Sequence, residues 1–174
     1  MGNGIAARMQ SGALVSDEVV NRLVEDRITR PEAENGFVLD GYPRTLAQAK
    51  WLYERLEGHG IRELVIHLAV DYNVIIARLT GRRVCPMCGT LYNIVSNPPK
   101  VAGVCDRDGT QLTIREDDRE EVIRERLDAY ERQTRPVLDF YHSTGCPVIE
   151  VDASFDPPPV IFEKVMQAVT AVAK

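Results

Sequence analysis

The sequence predicts an α/β fold, a three-layer arrangement in which a parallel sheet is flanked by helices and interrupted by one small insertion. Three observations carry that expectation. Short apolar runs alternate with amphipathic helical patterns, one Gly-, Pro- and Cys-rich stretch breaks the alternation, and 174 residues suffice for one domain with an insertion rather than two domains. Hydrophobic residues make up 44% and charged residues 27%, a globular composition. A formal net charge of -5 argues against a chain that wraps DNA or coats an anionic membrane, although local arginine clusters can still take phosphate. No stretch approaches the roughly 20 apolar residues of a membrane span, and the opening MGNGIAARMQSG lacks the features of a secretory signal, so a cytoplasmic location is expected.

The elements follow in order. Ser16 precedes DEVVNRLVEDRI, where Val19, Val20, Leu23, Val24 and Ile28 recur at helical spacing behind the acidic pair Asp17 and Glu18, which predicts a helix. Gly36-Phe37-Val38-Leu39-Asp40-Gly41, apolar and bounded by glycine, reads as a buried strand with Asp40 at its C-terminal end. Thr45 and Gln48 have capping-box spacing, and Leu46, Ala49, Leu52, Tyr53 and Leu56 give the next helix its apolar face. Leu64 to Val70 is a second buried strand, and Asp71 caps a helix carrying Val74, Ile75 and Leu79.

From Gly81 to Asp118 helical periodicity disappears, and short strand-like pieces such as Thr90 to Val95 stand between turns. Asp117 and Glu120 then predict a capped helix with Val122, Ile123, Leu127 and Tyr130 on one side, which Pro136 should kink or restart. Pro147 to Val151 is a third strand. Val160, Ile161, Val165, Val169 and Val172 mark a terminal helix. The expected divisions are 1–15, a first core part 16–80, a module 81–118 and a second core part 119–174.

The module carries the sharpest chemical signal. Cys85-Pro86-Met87-Cys88 is followed, after sixteen intervening residues, by Cys105-Asp106-Arg107-Asp108, two C-x-x-ligand knuckles across a hairpin-sized spacer. Ligands three positions apart on a tight turn take adjacent corners of a tetrahedron, so Cys85, Cys88, Cys105 and Asp108 would complete a closed, structural zinc site. Gly89 and Gly109, directly after the knuckles, suit the turns. A redox C-x-x-C pair is the alternative. Cys146 lies outside the pattern and reads as a buried small hydrophobe.

Arginines stand where open α/β sheets place ligands. Arg44 follows a strand-end turn, Arg78, Arg82 and Arg83 flank the entry to the module, and Arg115 and Arg126 flank its exit. Their planar, permanently charged forks suit phosphate, so together they predict a polyphosphate cleft between core and insertion.

Leu39-Asp40-Gly41-Tyr42-Pro43-Arg44-Thr45 resembles the L-D-G-[FY]-P-R-T signature of the nucleoside monophosphate kinases, specifically the adenylate kinases of the zinc-bearing, long-lid bacterial type. Gly81-Arg82-Arg83, Asn97-Pro98-Pro99-Lys100 and Arg115-Glu116-Asp117-Asp118 resemble the motifs of that family's lid, and the resemblance covers essentially the whole chain. It implies a P-loop kinase-like core, a lid at 81–118, and reversible, Mg²⁺-dependent transfer of the γ-phosphoryl of ATP to AMP, giving two ADP.

Carried over by residue, the resemblance gives Gly41, Arg44, Gln48, Arg115, Arg126 and the backbone of Ala13, Leu14 and Val15 to AMP. Arg78, Arg82, Leu91 and Tyr92 go to ATP, and Phe155, in a loop where the family tends to have a glycine, would contact the ATP base through its backbone. Arg44, Arg82, Arg115, Arg126 and Asp40 are the implied catalytic set, with Asp40 orienting the water shell of magnesium. The implied partners are ATP, AMP and ADP, with no nucleic acid and no membrane, and the implied full-length state is a monomer.

The family's G-x-x-x-x-G-K-[ST] phosphate loop and the strand before it have no counterpart in these residues. The expectation is therefore a core lacking its first strand, with 1–15 a remnant of the AMP-binding segment. Three alternatives stay open: an acceptor such as UMP or CMP, an inactive or complementing fragment, and a zinc-ribbon binding module.

Overall fold

A computed structural model describes residues 16–172. The expected adenine contacts of Ala13, Leu14 and Val15, and the 1–15 division, lie outside them. The helices are α1 (Asp17–Ile28), α2 (Leu46–Glu57), α3 (Tyr72–Thr80), α4 (Glu120–Ala129), α5 (Arg135–Thr144) and α6 (Pro158–Val172). The strands are β1 (Val65–Ala69), β2 (Arg82–Val84), β3 (Leu91–Asn93) and β4 (Val148–Asp152). Two compact units result: residues up to Leu64 with Tyr130–Pro147, and Val65–Ala129 with Val148 onward.

In the first unit the N-terminus of α2 is held by side chains. The Thr45 hydroxyl accepts from the backbone N–H of Gln48 at 3.2 Å, as a capping box requires. The reciprocal bond arrives one residue early, because Gln48 Oε1 accepts from the N–H of Arg44 at 2.8 Å. The Gln48 amide and the Thr45 hydroxyl both donate to the Asp17 carboxylate, at 2.7 and 2.8 Å, which ties the first turn of α1 to that of α2. Tyr42 donates to Asn21 at 2.6 Å, and Arg55 pairs with Glu25 farther along the same two helices. Helix α2 buries Gln48, Ala49, Leu52 and Leu56, and each leucine is worth roughly 1.5–3 kcal/mol on burial. Its Tyr53 meets Phe140 of α5 edge to face at 5.9 Å.

Pro136 acts as expected. Residues Tyr130–Thr134 widen into a π-helical stretch before α5 restarts at Arg135, because proline has no N–H to donate and its ring rejects the carbonyl four residues back. Helix α5 ends at Gly145, in the left-handed conformation.

In the second unit β1 pairs in parallel with β4, from Val65 opposite Val148 to Ala69 opposite Asp152. Asp71 caps α3 by accepting from the N–H groups of Asn73 and Val74 at 2.8 and 3.3 Å. The module folds on itself: β2 pairs antiparallel with β3, and single bridges join Val84 to Thr113 and Val104 to Gln111.

Four expectations need correction, the first being burial of the second strand: β1 forms but holds no buried residue, and Leu68 is 49% exposed. The strand at Gly36–Gly41 does not form: no strand among the described residues pairs with it, and Val38 is 93% exposed. An apolar run becomes a strand only where a neighbour completes its ladder, so among the described residues the parallel sheet has two strands rather than three. Asp117 does not cap α4, because Glu116–Asp118 form a short 3-10 turn and the helix begins at Glu120. Cys146 is half-buried rather than core, with Sγ 3.5 Å from the carbonyl of Glu63. Among the described residues no helix is long and apolar enough to cross a membrane.

Candidate functional site

The two knuckles fold alike. The N–H of Cys85 donates to the carbonyl of Thr90 at 3.0 Å and that of Cys105 to the carbonyl of Thr110 at 2.8 Å. The N–H groups of Gly89 and Gly109 return to the carbonyls of Cys85 and Cys105 at 3.0 and 2.9 Å. Both glycines have positive φ, +70° and +74°, a conformation that would strain any side chain there.

The turns bring one donor atom each from Cys85, Cys88, Cys105 and Asp108 within 4.8 Å of one another. A tetrahedron with metal–sulfur bonds of ~2.3 Å and metal–oxygen bonds of ~2.0 Å has edges of about 3.8 Å between sulfurs and about 3.5 Å between sulfur and oxygen. The Cys88 and Cys105 sulfurs stand 3.6 Å apart, and the Cys85 sulfur lies 3.5 and 3.3 Å from the two Asp108 oxygens. Donor type, number and spacing therefore fit a four-coordinate metal ion. Among the described residues the buried apolar cluster here is Cys85, Tyr92, Cys105 and Leu112, too small a core to hold such a module alone.

The electrostatics differ from corner to corner. Burial pushes the Cys85 thiol up. Burial also acts on Cys105, but its hydrogen bond with the Tyr92 hydroxyl and those from the backbone N–H groups of Arg107 and Asp108 outweigh it and hold that thiol below the usual range. Asp108 lies well below the ordinary carboxylate range, first through the N–H of Thr110 and then through the Cys88 thiol. Tyr92 is pushed up to about 12, first by its bond to Cys105 and then by burial.

In the first unit the chain turns sharply between Asp40 and Thr45. Gly41 has φ +69°, and a Cβ there would lie 2.7 Å from a guanidinium nitrogen of Arg44, so only glycine lets that side chain fold over the turn. Arg44 Nε donates to the Gly41 carbonyl at 2.6 Å, its backbone is fixed by Gln48, and its own carbonyl accepts from the Thr134 hydroxyl at 2.9 Å. The guanidinium stays exposed. Gly41, Arg44 and Gln48 are thus brought together, with Asp40 exposed on the same turn.

In the second unit Arg115 lays its fork on Asp117, with two bonds of 3.0 Å, and Arg126 reaches the same carboxylate at 3.9 Å. Arg82 lies 3.6 Å from Asp118, whose side chain is wholly buried with both oxygens lacking a hydrogen-bond partner. Arg78 donates to the carbonyl of Ser154 at 2.7 Å, which places its guanidinium beside the loop of Phe155, itself 83% exposed. Leu91 is exposed, whereas Tyr92 is inside the module with its hydroxyl directed at Cys105. Sequence reasoning missed Asp117 and Asp118 as anchors of the arginines and Asp17 as anchor of the α2 cap. The signal available for the first two was their position two and three residues after Arg115.

The family model described as "Adenylate kinase" matches residues 1–146. The chain is 49% identical over 138 residues to the adenylate kinase of Bacillus subtilis (strain 168), covering 79% of this chain and 64% of that protein. It is 45% identical over 163 residues to the adenylate kinase of Caldanaerobacter subterraneus subsp. tengcongensis, covering 92% and 72%. With the adenylate kinase of Thermosipho melanesiensis identity is 42% over 165 residues, covering 94% and 76%.

Proposed function

Because the chain belongs to the adenylate kinase family, we propose that it serves reversible phosphoryl transfer between ATP and AMP, giving two ADP, in the cytoplasm. The observation that carries this reading is the Gly41–Gln48 turn, which presents an exposed, backbone-anchored guanidinium in the first unit. There Arg44 grips the phosphate of AMP, Gly41 clears the space for it, and Gln48 fixes the backbone it swings from, with Asp40 beside them. In the second unit Arg82, Arg115 and Arg126 offer positive charge to transferring phosphates, and Arg78, Leu91, Tyr92 and Phe155 serve the ATP side. A magnesium ion with ATP neutralises charge on the phosphates.

Asp117 pairs with Arg115 and Arg126, and Asp118 lies beside Arg82. Arginine forks then meet phosphate oxygens in place of carboxylate oxygens, an exchange of like partners that needs little rearrangement. We assign zinc to the site of Cys85, Cys88, Cys105 and Asp108, in a structural role. The closed donor set leaves no position open for substrate.

The test is ADP formation from ATP, AMP and Mg²⁺, together with direct AMP binding. A charged hydrogen bond is worth about 1.5–3 kcal/mol, so Arg44→Ala should weaken AMP binding roughly 10- to 100-fold. Unchanged AMP binding in Arg44→Ala would sink the assignment. Transfer to UMP or CMP at the rate seen with AMP would redirect the choice of acceptor.

A further inference from the structure

Each of two sulfurs in the metal cluster has a hydroxyl aimed at it, and neither hydroxyl is needed for coordination. Tyr92 is 7% exposed, and its hydroxyl oxygen lies 3.5 Å from Cys105 Sγ while accepting from the N–H of Asp106 at 2.8 Å. Thr90 Oγ1 lies 3.1 Å from Cys88 Sγ and accepts from an Arg107 guanidinium nitrogen at 3.4 Å. The two arrangements match: a hydroxyl bonded to a sulfur on one side and fed by an N–H donor on the other. Tyr92 comes from β3 and Thr90 from the end of the first knuckle, yet both are fed by residues of the second knuckle, Asp106 and Arg107.

A metal-bound thiolate carries no proton, so the direction of both bonds is fixed once an ion is present: oxygen donates and sulfur accepts. Three thiolates and one carboxylate hold more negative charge than a divalent ion neutralises. Hydrogen bonds to the sulfurs draw off part of that surplus and fix the direction in which each sulfur points. We propose that Tyr92 and Thr90 are positioning residues of the metal centre, donating O–H···S bonds to Cys105 and Cys88. Tyr92 thus has a structural task in the module besides the ATP contact implied by the resemblance. The proposal rests on the metal assignment made above, and its test separates the two.

Cobalt(II) substitutes for zinc as a visible probe, and the whole chain is titrated with it and then with zinc against a chromophoric chelator. Loss of an outer-shell partner typically weakens metal binding 10- to 100-fold. Tyr92→Phe, which keeps the buried ring, is expected to weaken zinc binding by that factor and to move the thiolate-to-cobalt charge-transfer band to lower energy, since sulfur becomes a better electron donor. Thr90→Val should do the same more weakly, because the Cys88 edge is exposed. Weaker binding in both variants with an unmoved band would mean packing rather than donation and overturns the proposal. So does unchanged affinity. If Tyr92→Phe fails to fold, the band position in Thr90→Val decides alone. A wild-type chain without a thiolate-to-cobalt band overturns the metal assignment itself, and this inference with it.

Discussion

The module between Val84 and Thr113 and the segment from Gly36 to Gln48 both read as chain that must turn sharply around short extended pieces, and they meet that demand in opposite ways. The module closes on itself, with backbone pairs between β2, β3 and Thr113 and four donor atoms drawn together. Gly36–Gly41 forms no ladder, and the side-chain anchoring lies at its far end, where Asp17, Thr45 and Gln48 fix the start of α2. The contrast teaches that a short β segment is specified by its partners. Where they lie within thirty residues the sequence announces them, and where they do not an apolar run is silent about its neighbour.

Chelation should have the largest effect. Structural zinc contributes an apparent ~10–16 kcal/mol in small zinc-folded peptides, so removing the zinc proposed at Cys85, Cys88, Cys105 and Asp108 should erase amide protection throughout the module. Hydrogen exchange with and without chelator checks this, and protection in α1 and α2 should persist. Intact module protection after complete metal removal would show that its four-residue core suffices.

Asp17→Ala tests the other side. It leaves the Thr45 hydroxyl and the Gln48 amide without their shared acceptor, at a cost of about 1–3 kcal/mol read by denaturant unfolding. Protection at the start of α2 should fall with it, while metal affinity stays unchanged.

A smaller effect is expected from Glu63, whose carboxyl is raised above its ordinary range by burial, opposed in part by its bond to Tyr141. The folded protein holds that proton more tightly than the unfolded chain. This contribution is therefore complete below the ordinary carboxylate range and is lost as pH rises through the raised value. Glu63→Gln should raise stability at neutral pH relative to wild type and lose that advantage in acid. Urea midpoints at about pH 4 and pH 7 give the comparison.

The smallest effect belongs to Val38. An exposed side chain outside any ladder predicts a change within about 0.5 kcal/mol for Val38→Thr. A loss above 1.5 kcal/mol would mean that the segment is covered by a partner.

The elements legible in the sequence are those whose instructions are local. Thr45 and Gln48 announced α2, Asp71 announced α3, Pro136 announced the restart at α5, and the two knuckles announced the cluster around Cys85. The parallel partners β1 and β4 were legible as apolar runs, but not their register. At Gly36–Gly41 the same signal gave the wrong element, because burial and pairing are decided by distant chain. The anchoring acids escaped for a related reason: adjacent in sequence, Asp117 stays partly exposed between two arginines while Asp118 is enclosed beside one.

The register of β1 on β4 also bears on how the chain folds. Val65 meets Val148, so the search for this pairing closes a loop of about 80 residues, and closure entropy grows with the logarithm of loop length. The module lies inside that loop and needs no residue outside it. Once it has collapsed around its own cysteines, the free loop shortens to about 50 residues and closure becomes easier by about 0.4 kcal/mol, roughly a doubling of the rate at which the strands meet. The insertion is thus a fold-back clamp on a long tether, and closing it before the strands meet would quicken the formation of a sheet of which it is not itself a part.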